Sequence, residues 1–217
     1  MQKPNKLLEF DVQQELDWDP ELDDTRIVIA ASDGKVTLTG AVPTYFDSVR
    51  AADDTFIVGG VRAVDNQLLV GAVGEMVTDD RVATACAAAL DGEQRVPNGA
   101  VTPDVSDGWV TLRGQVRHHY QRIAAEHAVG RVAGVLGIVD NVTITSGPIP
   151  SDVAGRIKKA LERNAVVDDS RIAVTNDGST IYLDGTAASW MSRREAEDTA
   201  WNAPGVTEVV DRVEVAA

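Results

Sequence analysis

Residues 23–40 read DDTRIVIAASDGKVTLTG, and residues 168–185 read DDSRIAVTNDGSTIYLDG. Both stretches begin with two aspartates, run through apolar residues to an Asp-Gly pair, and end on a glycine that closes an alternating strand. The pattern predicts two strands joined by a type I′ hairpin turn, because both central residues of that turn need a positive φ. A hairpin spelled twice indicates an internal repeat, which would decide the fold.

A third copy lies between these two, and glycines mark the period. The glycines that close the second strands are spaced by 74 and 71 residues, and a later glycine-valine pair keeps the same spacings. The two sets of structural glycines are Gly40, Gly114 and Gly185, and Gly60, Gly134 and Gly205. The sequence therefore predicts three domains, at residues 1–72, 77–146 and 150–217. Gly, Pro and Ser cluster at the predicted joints, residues 71–76 and 146–151.

Each copy carries the same order of elements. In the first copy, residues 5–17 place Leu8, Val12 and Leu16 on one helical face. Strands are expected at 25–31 and 35–40, a second helix from about 45 to 58, and a third strand at 63–70. Thr44, and Ser189 in the third copy, stand where a side chain would cap the second helix. The predicted fold class is α+β, with three tandem α-β-β-α-β domains, each placing two helices on a small three-stranded mixed sheet.

The charge balance excludes some functions. The chain has 20 basic and 34 acidic residues, a net charge of −14, which disfavours nucleic acid and purely electrostatic attachment to anionic lipid. Residues 1–75 hold 6 basic and 14 acidic groups, whereas the middle and last copies are nearer neutrality, at −2 and −4. An anionic lipid would thus meet the middle or last copy. The first residues lack the apolar core of a secretory signal, which indicates a cytoplasmic protein as the sequence stands, and a periplasmic one only where a signal has been removed.

The copies resemble the BON domain, named for bacterial osmotically inducible and nodulation proteins. The resemblance rests on the element order, the closing glycine of strand two, the Ala-rich second helix and the Gly-Val-x-x-Val ending. The stretches ELDWDP at 15–20, HYQRIAAEHAV at 119–129 and SWMSRREAE followed by WNAPGV are similar to bacterial triple-BON proteins without a signal peptide, often labelled transport-associated. The resemblance implies binding of phospholipid or envelope components in osmotic stress or transport, with no catalytic residue.

Candidates for chemistry are few. Cys86 lies in the apolar run ATACAAAL, which favours a buried, inert thiol. His118 and His119 are adjacent and indicate a surface pair rather than a metal site, and Asp23 and Asp24, like Asp168 and Asp169, are typical of turns. No P-loop or G-x-G-x-x-G order is present. We therefore expect no enzyme, no metal and no cofactor.

The segment between strand two and helix two is the candidate binding surface. It carries an aromatic residue in each copy, and in two copies arginine as well; the candidate residues are Tyr45, Tyr120, Arg122, Trp190, Arg193 and Arg194. Such a set suits a lipid headgroup boundary or a protein interface. Two alternatives stay open: the aromatics pack back on the sheet, and the arginines are solvated or pair with Glu195 and Glu197. Trp18 and Trp201 are expected to pack between elements.

Two functions are expected from these residues together with the resemblance. One is a non-enzymatic module that binds a phospholipid membrane surface or an envelope component through copies two and three. The other is a protein–protein scaffold or a self-assembling stress protein, a homo-oligomer, that pairs through exposed sheet faces or edges.

Overall fold

The structure is a computed structural model that describes residues 3–71, 77–145, 147–167 and 171–215. Its elements in the first copy are α1 (Asn5–Trp18), β1 (Ile27–Ser32), β2 (Lys35–Val42), α2 (Tyr45–Ile57) and β3 (Ala63–Val70). The second copy has α3 (Asp79–Gly92), β4 (Val101–Ser106), β5 (Trp109–Val116), α4 (His119–Gly130) and β6 (Gly137–Ile144). The third has α5 (Val153–Leu161), β7 (Ile172–Asp177), β8 (Thr180–Ala187), α6 (Trp190–Trp201) and β9 (Glu208–Val215). The α-β-β-α-β order is thus confirmed in all three copies.

The chain divides into two compact units. One contains Met1–Gly114 and Gln121–Val142, and the other contains Gln115–Tyr120 and Thr143–Ala217. The middle copy therefore contributes residues to both. The predicted turn aspartates Asp168 and Asp169, and most of the predicted joint at 71–76, lie outside the described residues. None of the described helices has the length and apolar composition to cross a bilayer.

Each sheet has the second strand of its copy in the centre. The orders are β1-β2-β3, β4-β5-β6 and β7-β8-β9. In the first and third sheets the central strand is antiparallel to the strand before it and parallel to the strand after it. The parallel pair is possible because the second helix of the copy makes the crossover between the two strands. The sheets are mixed, as predicted.

The hairpin turns agree with the sequence in two copies and differ in the third. Asp33 and Gly34 have φ of 51° and 83°, and Asp107 and Gly108 have 51° and 76°, as a type I′ turn requires. In the third copy Asp177 pairs with Thr180, so the central residues are Gly178 and Ser179. Only the glycine has a positive φ there, 54°, which is the pattern of a type II′ turn. Assigning Asp177 to this turn was wrong, because it takes the strand position that Ser32 holds in the first copy.

The cores lie between the helices and one face of each sheet. In the first copy Leu8, Val12 and Leu16 of α1 pack with Val36 and Leu38 of β2. The third copy repeats the arrangement through α5 and β8. Cys86 occupies the equivalent layer of the middle copy, where burial raises the pKa of its thiol to about 11. The prediction of a buried thiol is confirmed.

Trp18 departs from its predicted place. It is 84% exposed at the end of α1, on the side of the helix opposite Leu8, Val12 and Leu16. The prediction that it packs between elements was wrong, because position 18 lies far around the helix from the buried face.

Arg50 and Asp54 of α2 contact carboxylates in the segment that follows α1. Arg50 donates to both oxygens of Asp19, through Nη2 to Oδ1 at 2.9 Å and through Nε to Oδ2, and through Nη1 to Glu21 at 2.6 Å. These bonds lower the pKa of Asp19. Burial, and then the hydrogen bond with Asp19, raise the pKa of Asp54 to about 7. The two neighbouring carboxyls therefore hold a proton between them near neutral pH.

Asp54→Asn is expected to raise the melting temperature near pH 8 and to change it little near pH 4. The folded-state pKa of Asp54 lies above the unfolded value of about 3.9, so its stabilising contribution is full below that value and is lost as the pH rises through 7. Asparagine cannot ionise and still offers a donor to Asp19. Thermal unfolding at both pH values, with exposed Asp91→Asn as the control, measures the effect. A gain of equal size at both would contradict it.

Candidate binding site at the start of the second helices

The end of the second strand and the first turn of the second helix form one short segment in each copy, which we call the junction: residues 43–46, 117–120 and 188–191. In the first copy the Thr44 side chain accepts from the backbone of Asp47, and the Asp47 carboxylate accepts from the backbone of Thr44, a capping box. In the third copy Ser189 accepts from the backbone of Ser192 at 3.1 Å. The predicted caps are confirmed, and they hold the junction side chains in defined directions.

The junction of the first copy packs within its own unit. Phe46 meets the ring of His127 edge-on at 5.1 Å, and the Arg131 guanidinium lies 4.2 Å from the Phe46 centroid. Tyr45 is half-buried, and burial, followed by the charge of Glu126, raises its pKa. These contacts place both aromatics of the first junction against α4 of the middle copy, within the same unit.

The junction of the middle copy is open. Tyr120 is 52% exposed and stacks on His118, with centroids 5.5 Å apart and 12° between the rings. His119 stacks on Trp201 of the same unit, at 4.1 Å and 7°. Trp201 thus packs between elements, as predicted. The two histidines are not an isolated surface pair: each belongs to a separate ring stack.

In the third copy the junction contributes a tryptophan, and arginines follow it in α6. Trp190 is half-buried, and the guanidinium of Arg193 lies 5.0 Å from its ring centroid. Arg193 also donates to Asp211 on β9 at 2.6 Å, rather than to the glutamates of its own helix. Arg194 is exposed. The guanidinium of Arg193 is therefore engaged by contacts within the protein, to Asp211 and to the Trp190 ring.

The same helix-to-strand link recurs in each copy. Arg122 pairs with Asp140 at 3.3 Å, the counterpart of the Arg193–Asp211 pair. In the first copy the positions are Ser48 and Asn66, and the Asn66 amide donates to the Ser48 carbonyl at 2.8 Å. Arg122 and Arg193 thus join α4 and α6 to their sheets, and a binding role for them stays a prediction.

A cavity of about 850 Å³ lies in the second unit against the middle junction. Arg117, His118, His119 and Tyr120 line one side, and Trp201 with the loop 202–206 lines the other. We call it the junction pocket. None of the described residues that line it is acidic, although acidic residues outnumber basic ones by 34 to 20 in the chain. The charge of the lining residues, with Arg117 among them, therefore favours an anion.

The first unit has a cavity at the equivalent position, of about 640 Å³. There Pro43 and Thr44 stand where Arg117 and His118 stand in the junction pocket, and Asp79 and Asp107 add negative charge. The two cavities lie at equivalent positions in the repeat, but the charged residues that line them have opposite sign. Of these two cavities, the junction pocket is the one that suits an anionic ligand.

Part of this site is not visible in the sequence. The sequence indicates Tyr120, but nothing in it joins Arg117, His118 and His119 to Trp201, which is some 80 residues further on. The one available signal is that all three histidines fall in the middle copy. Among the described residues, no group of three or more His, Cys, Asp or Glu side chains is placed to hold a metal ion.

The chain belongs to the BON domain family, whose model matches residues 5–72, 78–146 and 151–217. No curated protein sequence matches it. Similar solved structures include CdsD, a structural protein of the Type III secretion system of Chlamydia trachomatis, which is 14% identical over 95% of this chain and 91% of that one, with a TM-score of 0.25. A C-terminal domain of CdsD is also 14% identical over 97% and 98%, with a TM-score of 0.25. The PrgH periplasmic domain is 12% identical over 96% and 100%, with a TM-score of 0.23. At these TM-scores the likeness says nothing about how this chain works.

Proposed function

We infer that the chain is a non-enzymatic binding module, and that its second unit binds the headgroup of an anionic phospholipid in the junction pocket. The observation that carries this is the reversed sign of charge at the pocket. Arg117 and two histidines are among its lining residues, and none of the described lining residues is acidic, in a chain of net charge −14. Arginine donors match the oxygens of a phosphate.

The size and the aromatic lining support the same ligand class. A cavity of about 850 Å³ lies within the range of small-molecule sites, roughly 300–1,000 Å³. Tyr120 presents an exposed ring with a polar tip, as residues at a headgroup boundary do. Trp201, whose indole N–H donates to Glu197 at 3.3 Å, adds a second ring to the lining. A phosphorylated envelope component with an apolar part has the same chemistry. A link to transport or osmotic stress is the physiological setting that the family resemblance implies.

We assign two of the predicted binding residues, Tyr120 and Arg194, to contact with headgroups. Tyr120 stands at the pocket itself. Arg194 is exposed on α6 of the same unit, and we assign it to a second headgroup. Trp190 and Arg193 support the start of that helix, and Tyr45 and Arg122 belong to the other unit.

Vesicle flotation tests the proposal. The full chain is expected to float with phosphatidylcholine vesicles that contain phosphatidylglycerol, and not with phosphatidylcholine alone. Arg117→Glu is expected to weaken binding at least about tenfold, because it places a carboxylate where the phosphate would bind. Arg113→Glu, an exposed change of equal charge outside the pocket, is the matched control.

The outcomes separate the possible sources of binding. Equal losses for Arg117→Glu and Arg113→Glu would show general charge repulsion and contradict the pocket. Loss through Trp190→Ala with Arg193→Glu and Arg194→Glu, but not through Arg117→Glu, would move the site to the third junction. Competition by glycerol 1-phosphate would show that the headgroup is recognised. No flotation under any condition would overturn lipid binding.

Protein–protein association is the second candidate function. The outer strand β3 has no further strand neighbour within the described part of the chain, and it carries Leu69, which is 72% exposed. β1 is the opposite edge, with exposed Val28. Unpaired edges with apolar side chains are templates for another strand. In β4, by contrast, Pro103 removes one amide donor from the edge.

A further inference from the structure

The solvent-facing side of α1 carries large apolar side chains, although the exposed face of a helix is usually polar. Leu7, Phe10 and Trp18 are 48%, 59% and 84% exposed, and with Gln14 they follow the spacing i, i+3, i+7, i+11. This places them on one face, opposite the buried Leu8, Val12 and Leu16. We call the four residues the outer stripe. Exposed large side chains are ordinary when scattered, but an aligned set on one helix indicates a contact surface.

Two residues of opposite charge lie beside the stripe, one near each end of α1. Lys6 lies in the first turn of α1 and Asp17 in the last, both exposed. They are eleven residues apart, which brings them within about 20° of each other around the helix axis. One flank of the stripe is therefore positive at its N-terminal end and negative at its C-terminal end.

We propose that the outer stripe binds the outer stripe of a second copy of this chain, with the two α1 helices antiparallel about a two-fold axis near residue 12. In that arrangement Leu7 meets Trp18 of the second copy, and Phe10 lies beside Gln14. Lys6 faces Asp17 at both ends, because equivalent flanks meet in an antiparallel pair. In a parallel pair opposite flanks would meet, and Lys6 would lie at the far end of the interface from Asp17.

The existing contact of Lys6 does not oppose this. Lys6 donates to Glu9 at 2.7 Å, but its side chain is almost fully exposed, and a surface pair of this kind contributes little. It can exchange Glu9 for Asp17 of the second copy at small cost. On the other flank, Asp11 is already paired with Lys3 at 2.6 Å, which reduces repulsion between the two copies.

A membrane fits the stripe less well than a second copy does. Helices that lie in a lipid interface carry Lys and Arg on their polar face. Between its first and last residue α1 has only Lys6 as a basic residue, against Glu9, Asp11, Glu15 and Asp17. The first copy is also the most acidic of the three.

The contact is expected to be weak, because one helix face buries less than the roughly 800 Å² per partner of a standard interface. Sedimentation of the full chain from about 1 μM to about 1 mM is expected to show a monomer–dimer equilibrium. Phe10→Ser with Trp18→Ser is expected to leave only monomer. Leu69→Ser, which removes an exposed leucine from the sheet edge, is the control and is expected to leave the dimer unchanged.

A charge exchange tests the antiparallel direction. Lys6→Asp and Asp17→Lys are each expected to weaken the dimer at least about tenfold, and the double variant is expected to restore it. The two single variants and the double variant exchange charged residues at exposed positions of α1. They are therefore expected to fold, and a change in association reports on the interface. A monomer at every concentration would overturn the proposal, as would a dimer that Leu69→Ser abolishes. So would flotation of the chain with phosphatidylcholine vesicles that Trp18→Ser abolishes.

Discussion

Replacing Gly40 with alanine is expected to destabilise the first copy by about 3 kcal/mol or more. Gly40 has a φ of +117°, and a Cβ at this position would collide with the backbone carbonyl oxygen of Arg26. A backbone atom held in a hairpin register cannot move aside as a flexible side chain can. Ala100 and Arg171 present their carbonyls in the same way to Gly114 and Gly185, so the requirement is a property of the repeat.

Gly71→Ala separates the strain of a positive φ from the collision with the Arg26 carbonyl. Gly71 has nearly the same φ, +111°, but no atom of the described residues lies within 4 Å of the place that an alanine methyl group would take. This variant bears only the backbone strain, expected to cost about 1 kcal/mol. Hydrogen exchange of the β1 and β2 amides reports the stability of the first copy separately from the others. Equal losses of protection in the two variants would show that the collision with Arg26 is relieved by movement.

The hairpin was predictable because its determinants are local. A two-residue turn and an alternating strand depend on residues that are neighbours in sequence, and Asp33-Gly34 and Gly40 are as expected. The third turn shows the limit of such reasoning. Asp177-Gly178 has the same spelling but a different register, because the strand pairing and not the dipeptide decides which residues are central.

The junction pocket was only half predictable. Tyr120 and the histidines are adjacent in sequence, but Trp201 reaches them from another copy through packing that no short-range pattern encodes. The same is true of Arg193, whose partner Asp211 lies on a strand rather than on its own helix. An i, i+4 rule considers the helix alone, whereas α6 lies over β9.

Asp211→Ala is expected to destabilise the third copy by about 2–3 kcal/mol. Its carboxylate accepts from Arg193 Nε at 2.6 Å and from the Val213 backbone at 2.8 Å, and alanine removes both acceptors. The half-buried guanidinium of Arg193 would then have lost its partner on the sheet. Asp184→Ala, at an exposed pair with Arg212 in the same sheet, is the control and is expected to cost about 0.5 kcal/mol.

The first copy offers a replacement for this pair. Asn66 stands at the position of Asp211, accepts from the backbone of Leu68 at 3.2 Å, and donates to Ser48, the counterpart of Arg193. Arg193→Ser with Asp211→Asn is therefore expected to recover most of the stability that Asp211→Ala loses, because every polar group again has a partner. Hydrogen exchange in β8 and β9 measures both variants. A double variant as unstable as Asp211→Ala would show that the third copy depends on the charges themselves, and that its core is not interchangeable with that of the first.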